Sequence, residues 1–277
     1  MAARRPDPMD LRRRALELLQ LTDPTAKAQA TQALARERAQ GRCTLDPAAA
    51  LTPAPDQPLP GRPERPRLVQ VLQVPKRSPF TPEGRAALIH AICHIEFNAI
   101  NLALDAVWRF EGMPRSYYLD WMLVAAEEAR HFRLLRDHLR TQGHDYGDFP
   151  AHQGLWTMCE KTRHDIVARM ALVPRTMEAR GLDATPQIQA KLRQVGTPDA
   201  LAAVGILDTI LRDEVGHVAI GNHWYRWLCE REGLDPENHY SVLVQQYEAP
   251  RLRPPFNEAA RRRAGFTDNE LRWLQQV

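Results

Sequence analysis

The feature that most constrains the fold is a helical period of apolar residues that runs from Thr81 to about residue 233. Apolar side chains recur there at spacings of three and four, which is typical of amphipathic helices. Glycine and proline divide the pattern into four long segments, and Pro174 should make the third of them irregular. The predicted helices cover about 81–111, 115–142, 154–180 and 198–232. Four helices of this length predict an all-α four-helix bundle.

The first 80 residues have a different composition. Thirteen of the 22 prolines lie within residues 1–82, and proline interrupts helices because it lacks a backbone donor and clashes with the preceding turn. Residues 8–40 keep a helical pattern, whereas residues 44–80 predict an extended segment with a short strand at 68–74. We therefore expect a helical, proline-rich extension at 1–80, a bundle at 81–235 and a short C-terminal extension at 236–277.

Composition and charge are those of a soluble globular protein. Hydrophobic residues make up 44% and charged residues 26% of the chain. No apolar run reaches the roughly 18 residues of a membrane span, and the basic N-terminus lacks the apolar stretch of a signal peptide. We expect a cytoplasmic protein without a membrane. The basic clusters at 12–14 and 261–263 are usually solvated surfaces, although a polyanion partner is kept open.

The four cysteines are scattered without a CxxC pair. Such spacing is typical of free thiols rather than of a disulfide framework or a zinc site.

A repeat of chemistry, rather than of sequence, suggests the function. The second and fourth predicted helices each carry a Glu-x-x-His motif, Glu128 with His131 and Glu214 with His217. This spacing places a carboxylate and an imidazole one turn apart on the same face of a helix. The first and third helices each contribute one glutamate that is expected to face the core, Glu96 and Glu178.

These six residues have the ligand pattern of a dinuclear carboxylate site in a four-helix bundle. Four carboxylates buried without counter-charges would be very costly, and two divalent cations would balance their charge. Oxygen and nitrogen ligands without a thiolate favour iron or manganese over structural zinc. We predict two iron ions, with manganese as the alternative.

Two acidic residues could orient the histidines from outside the ligand set. Glu127 and Asp213 each stand four positions before a motif histidine, on the same helix face. Each could accept a hydrogen bond from the ring nitrogen that does not bind metal. For Glu127 a solvent-facing position is an equal alternative. His90 and His94 also lie four apart, but His94 is two positions from Glu96 and should point elsewhere.

The motif-bearing stretches resemble a bacterial ferritin-like domain family of unknown function. They cover residues 94–100, 126–132, 178–183 and 212–217. The resemblance extends from about residue 10 to residue 245, and it implies the ferritin-like fold and the six ligands named above. The chain is more distantly similar to the tRNA-hydroxylating di-iron monooxygenases, from which its proline-rich N-terminal region departs.

The leading functional hypothesis is an O2- or peroxide-dependent oxidoreductase, either a hydroxylase or an oxidase. Its substrate, a small molecule or a nucleic acid, is not identified by the sequence. We also expect an electron donor protein and a homodimer as partners. The alternatives are a ferroxidase or iron-handling protein, and a bundle that a metal stabilises without catalysis.

Overall fold

The computed structural model of the chain describes residues 9–276, and every regular element in that range is helical. The all-α class is therefore confirmed, while the four-helix bundle stays a prediction. The first eight residues, on which the absence of a signal peptide was judged, lie outside the described range. The α-helices are α1 (Leu11–Gln20), α2 (Pro24–Ala39), α3 (Pro82–Arg109), α4 (Arg115–Thr141), α5 (Gly154–Lys161), α6 (Ile166–Leu172), α7 (Ala179–Val195), α8 (Pro198–Glu232), α9 (Pro236–Gln246), α10 (Glu258–Arg263) and α11 (Asp268–Gln276). A 3₁₀ turn occupies Val71–Gln73 and a π-helix occupies Val173–Glu178.

The described chain divides into two compact units. The first comprises residues 9–77 and 86–153, and the second comprises residues 78–85 and 154–276. The domain boundaries expected near residues 80 and 235 remain predictions.

In the first unit, the side chain of Arg12 joins the proline-rich segment to the helices. Its guanidinium is buried and donates from Nη1 to the backbone oxygens of Pro47 and Ala49 at 2.9 and 2.8 Å. Nη2 donates to the backbone oxygen of Trp108 at 2.9 Å. A planar group with several donors can satisfy several carbonyls that lack helix or strand partners. Arg12 is therefore a structural residue and not part of a basic surface.

Lys27 has the same role further along this segment. Its ammonium donates to the backbone oxygens of Leu19 and Gly61 and to Asn101 Oδ1, at 3.0, 2.8 and 2.6 Å. Burial, with a smaller contribution from Arg62, lowers the pKa of Lys27 to about 7. Three acceptors match the three donors of a protonated amine, so these bonds favour the charged form.

The strand predicted at 68–74 is wrong. Leu68 forms only an isolated parallel bridge with Ala151, in which the Val69 amide donates to the Ala151 oxygen at 2.9 Å. The chain then enters the 3₁₀ turn. Pro66 and Pro75 flank this stretch, and proline cannot continue a hydrogen-bonded ladder on both sides.

The predicted start of the long helix at residue 81 is confirmed. Thr81 Oγ1 accepts a hydrogen bond from the Gly84 amide at 3.1 Å, which satisfies one of the free donors at the N-terminus of α3. Although Ile95 is apolar, it is 48% exposed. The buried face of α3 is formed by Ile92, Glu96 and Ala99 at spacings of three and four, and Ile95 lies one position off that face.

The predicted third helix, at 154–180, is wrong in both its continuity and its end. The chain breaks after α5, and Asp165 caps α6 by accepting from the Ala168 amide at 2.9 Å. Helix α7 then continues through Gly181 and ends at Gly196, which has a φ of 70°. Gly181 does not end the helix because burial of its neighbour Leu182 outweighs its low helix propensity, which costs about 1 kcal/mol.

The last helices are part of the core of the second unit. They pack a buried apolar cluster against α7 and α8, consisting of Ala179, Leu182, Val218, Ala260, Ala264, Phe266, Leu271 and Leu274. Arg261 is buried and binds Asp183, with Nη2 to Oδ2 at 2.6 Å. Arg262 pairs with Glu258 at 3.2 Å. The arginine triplet at 261–263 is thus mostly neutralised within the fold, which weakens the polyanion interpretation.

One described helix, α3, is long and apolar enough to cross a membrane by length and composition. Within its most apolar window 72% is buried inside the protein, as in the core helix of a soluble protein.

Candidate metal centre

The first unit brings together three of the predicted ligands. Glu96 comes from α3, and Glu128 and His131 come from adjacent turns of α4. His131 Nδ1 lies 3.2 Å from Glu96 Oε2 and 3.4 Å from Glu128 Oε2. All three side chains are buried. Two carboxylates and an imidazole nitrogen therefore converge on one point away from solvent.

The electrostatics of this group show how tightly its charges interact. Burial and the neighbouring Glu128 raise the pKa of Glu96 to about 8, although its hydrogen bond with His131 opposes the change. Burial alone would lower the pKa of His131, but its bonds to Glu128 and Glu96 raise it to about 11. Without a cation, the group retains protons at neutral pH that the same residues would release in water.

The second unit holds the other three predicted ligands, and one of them lies on less regular backbone. Glu178 is the last residue of the π-helix, and Glu214 and His217 lie one turn apart on α8, with His217 Nδ1 3.6 Å from Glu214 Oε1. All three are buried. Within the described residues Glu214 Oε2 is buried and accepts no hydrogen bond. A buried carboxylate oxygen in that state is expected to have a cation or a proton as its partner.

Pro174 explains why the backbone before Glu178 is irregular, as the sequence predicted. Proline has no amide hydrogen to donate to the preceding turn, and the chain widens there into the π-helix. The Thr176 hydroxyl donates to the Ala171 oxygen at 2.8 Å. A widened turn in a helix frequently marks a functional position.

Gly221, on α8, is a contributor that sequence reasoning missed. A Cβ built on it would lie 2.5 Å from Pro174 Cβ, so only glycine lets α8 approach the π-helix this closely. An isolated glycine inside a strongly helical pattern, one turn beyond His217, was the available signal.

Among the described residues, one buried group of four side chains can hold a metal ion. It consists of Glu96, Glu128, His131 and Glu214, whose ligand atoms lie within 4.8 Å of one another. The coarser prediction, a buried glutamate and histidine metal site, is thus supported. Glu178 and His217 are buried but are not members of this group. Their role as ligands, and the presence of two metal ions, remain predictions.

The residues expected outside the ligand set differ in their surroundings. The Asp213 side chain is 11% exposed, with Oδ1 3.3 Å from the Arg212 guanidinium, and Glu127 is half-buried. In both motif histidines Nδ1 faces a glutamate, so a bond to an outer acid would involve Nε2. Whether Asp213 and Glu127 make that bond stays a prediction.

His90 and His94 are engaged elsewhere in the first unit. His94 Nδ1 lies 2.9 Å from the Tyr146 hydroxyl, and its Nε2 lies 3.1 Å from the His152 oxygen. His90 Nε2 accepts from the Gly147 amide at 2.9 Å. Both rings therefore fix the chain after α4 to α3, which agrees with the expectation that His94 is not a metal ligand.

The fold and the site define an all-helical protein with a buried carboxylate and histidine group that can bind a metal ion. The chain belongs to the family described as "Protein of unknown function (DUF455)", whose model matches residues 20–272. It is 53% identical over 222 residues to a protein of Haemophilus influenzae described as "Uncharacterized protein", covering 78% of this chain and 76% of that relative. No solved structure matches the chain.

Proposed function

We propose that the chain is a dinuclear non-haem iron carboxylate protein with a ferritin-like bundle, and that it acts as an O2- or peroxide-dependent oxidoreductase. The metal ligands would be Glu96, Glu128, His131, Glu178, Glu214 and His217. Manganese is the alternative metal. The reaction would be the hydroxylation or oxidation of a small-molecule or nucleic-acid substrate, with electrons from a donor protein.

The observation that carries the proposal is a group of buried glutamates with too few positively charged side chains to balance their charge. Glu96, Glu128 and Glu214 lie in one buried group that contains a single histidine. The raised pKa of Glu96 reports the cost of gathering these charges. A metal cation would replace the retained protons, and Glu214 Oε2 offers it an oxygen that no described donor occupies. The residues therefore fit a cation of the iron or manganese type.

The protein's own contribution is binding and exclusion of water. The glutamates would hold the metal through carboxylate oxygens and the histidines through Nδ1, the nitrogen that faces them. Bound iron would supply electron transfer to O2 or peroxide. The fully buried Glu128 and His131 keep bulk water from the ligand atoms, and the hydrogen bonds of His131 orient its ring before metal enters.

The main alternative is a metal that only stabilises the fold. The same buried charges favour it, since any divalent cation would relieve their repulsion. A ferroxidase or iron-handling role is the third possibility. The oxidoreductase and the metal-stabilised bundle differ in whether the reduced, metal-loaded protein reacts with O2.

The test is to load the full chain with ferrous iron without oxygen, measure iron by elemental analysis, and then mix with O2 while recording optical absorption. We expect about two iron ions per chain. We also expect an absorption band that appears on mixing with O2 and then decays. One zinc ion per chain without iron or manganese uptake would contradict the dinuclear site. Two bound irons with no optical change would support the stabilising role instead.

A further inference from the structure

A cavity of about 160 Å³ lies within the second unit, between α9, α11 and the π-helix. Tyr240, Phe266 and Trp273 supply its aromatic lining, and Tyr240 and Trp273 meet edge to face with ring centroids 5.5 Å apart. An apolar cavity of about 150 Å³ is large enough for benzene. The dimensions of the cavity therefore suit a ligand with a single aromatic ring.

Two buried arginines form the charged side of this cavity. Arg175 donates from Nη1 to Asn222 Oδ1 and from Nη2 to Glu270 Oε1, at 2.7 and 2.6 Å. Arg261 donates from Nε and Nη2 to the two carboxylate oxygens of Asp183. Among the described residues, Arg175 Nε and Arg261 Nη1 have no acceptor. Buried guanidinium groups next to a cavity, with donors left over, indicate a missing acceptor.

The charge around the cavity is balanced rather than positive. The lining contains Arg175 and Arg261 together with Glu270 and the exposed Glu237. Glu270 pairs with Arg175, and Asp183 pairs with Arg261. An anion would therefore be held by the two unused guanidinium donors and not by a surplus of positive charge.

The faces of both guanidinium groups are covered by aromatic rings. The Phe266 ring lies 4.9 Å from Arg175 Cζ and 5.0 Å from Arg261 Cζ. Only the edges of the guanidinium groups remain for a ligand, and guanidinium edges match carboxylate oxygens well.

We propose that this cavity binds a small aromatic carboxylate, with its ring against Tyr240 and Trp273 and its carboxylate directed to Arg175 and Arg261. The site lies wholly in the second unit and does not depend on the proposed metal chemistry.

The test uses benzoate as the probe, titrated into the full chain by calorimetry. We expect saturable binding with a Kd on the order of 0.1 mM, as suits a ligand of this size. Benzyl alcohol, which lacks the charge, and acetate, which lacks the ring, should each bind at least about 10-fold more weakly. Equal binding of benzyl alcohol, or no saturation with benzoate up to about 10 mM, would overturn the proposal.

Neighbouring positions on α9 provide a matched pair of variants. Ser241 lines the cavity, whereas Val242, the next residue, is 53% exposed and does not line it. Ser241→Phe should fill the cavity and weaken benzoate at least about 10-fold, while Val242→Phe should change the Kd less than about 2-fold. Unchanged binding to Ser241→Phe would refute the site.

If Ser241→Phe fails to fold, Asn269→Trp supplies an independent obstruction. Asn269 lines the cavity from the exposed side of α11, so a larger side chain there need not disturb the core. We expect the same loss of benzoate affinity, and undiminished affinity in this folded variant would also overturn the proposal.

Discussion

The candidate ligands of the first unit (the first half) and those of the second unit (the second half) carry the same motif but differ in how their charges are neutralised. In the first unit His131 Nδ1 contacts Glu96 and Glu128 at 3.2 and 3.4 Å, so the imidazole already compensates carboxylate charge. In the second unit His217 is 3.6 Å from Glu214, and Glu214 Oε2 has no described hydrogen-bond donor. The carboxylates of the first half are therefore compensated by a close histidine, whereas Glu214 Oε2 accepts no hydrogen bond from the described residues and could bind a cation.

The backbone of the second half is also less regular than that of the first half. Glu96 lies in the regular part of a 28-residue helix, and Glu178 ends a six-residue π-helix that contains Pro174. A π-helix has poorer geometry than an α-helix and persists only where its surroundings hold it. The second half is therefore the part of the site where geometry is maintained by packing, above all by the contact between Pro174 and Gly221.

The largest expected effect is loss of metal from ligand variants. Glu128→Gln and Glu214→Gln keep side-chain volume but remove a charged ligand oxygen, so each should weaken iron binding by about 100-fold or more. The measurement is iron content per chain after dialysis against a weak chelator. Both variants should lose metal to a similar extent, because both residues belong to the same buried group.

Exposed glutamates outside the site serve as controls for this series. Glu83→Gln on α3 and Glu230→Gln on α8 should retain the iron content of the parent chain. Equal losses in all four variants would mean that the effect is general destabilisation rather than coordination.

The second expected effect is a pH-dependent difference in stability between metal-free and metal-loaded protein. The pKa of Glu96 is raised from 4.5 to about 8 in the folded state, and that of His131 from 6.5 to about 11. Both groups bind protons more strongly when folded. Their contribution is fully present below the unfolded pKa values and is lost as pH rises through the folded ones.

Metal-free protein should therefore lose stability between pH 5 and pH 8, by an amount on the order of 3 kcal/mol. Metal replaces those protons, so the loaded form should escape most of this loss. Thermal melts of both forms across this range give the measurement. A gap between the two forms that stays constant or narrows toward pH 8 would show that the glutamates are not gathered in one buried site.

The third expected effect tests the packing that supports the second half. Gly221→Ala places a methyl group 2.5 Å from Pro174 Cβ, and the resulting shift of the π-helix should cost about 2 kcal/mol and lower iron content. Gly205→Ala, on the same helix, meets nothing within 4 Å and should raise stability by about 0.5–1 kcal/mol. Chemical denaturation of both variants measures the contrast, and equal effects would remove the packing argument.

The sequence predicted the regular parts of the molecule better than the irregular ones. The caps and periodicity of α3, α4 and α8 define these helices locally, and so their ends fall within a few residues of the prediction. The prediction of the third helix was wrong because the course of the chain there depends on tertiary packing. Burial of Leu182 carries the helix through Gly181, and the cap at Asp165 starts a new helix where periodicity alone suggested continuity.

For the candidate site, too, the features set by local sequence were predicted and those set by distant contacts were not. Motif spacing was enough to predict that all six candidate ligands would be buried, because it reports helix faces directly. It could not predict which nitrogen of His131 faces the glutamates, nor that the Glu178 backbone would be a π-helix. Those features depend on contacts between distant residues, such as Pro174 with Gly221.

The smallest expected effect distinguishes the outer acids of the two halves. Asp213 is mostly buried next to an exposed arginine, whereas Glu127 is only half-buried. If Asp213 orients His217 through Nε2, Asp213→Asn should weaken iron binding about 10-fold, in the range typical of such outer residues. Glu127→Gln should have a smaller effect, because His131 is already oriented by Glu96 and Glu128. Iron competition titrations measure both variants, and a larger loss in Glu127→Gln would show that the first half, not the second, needs external support for its histidine.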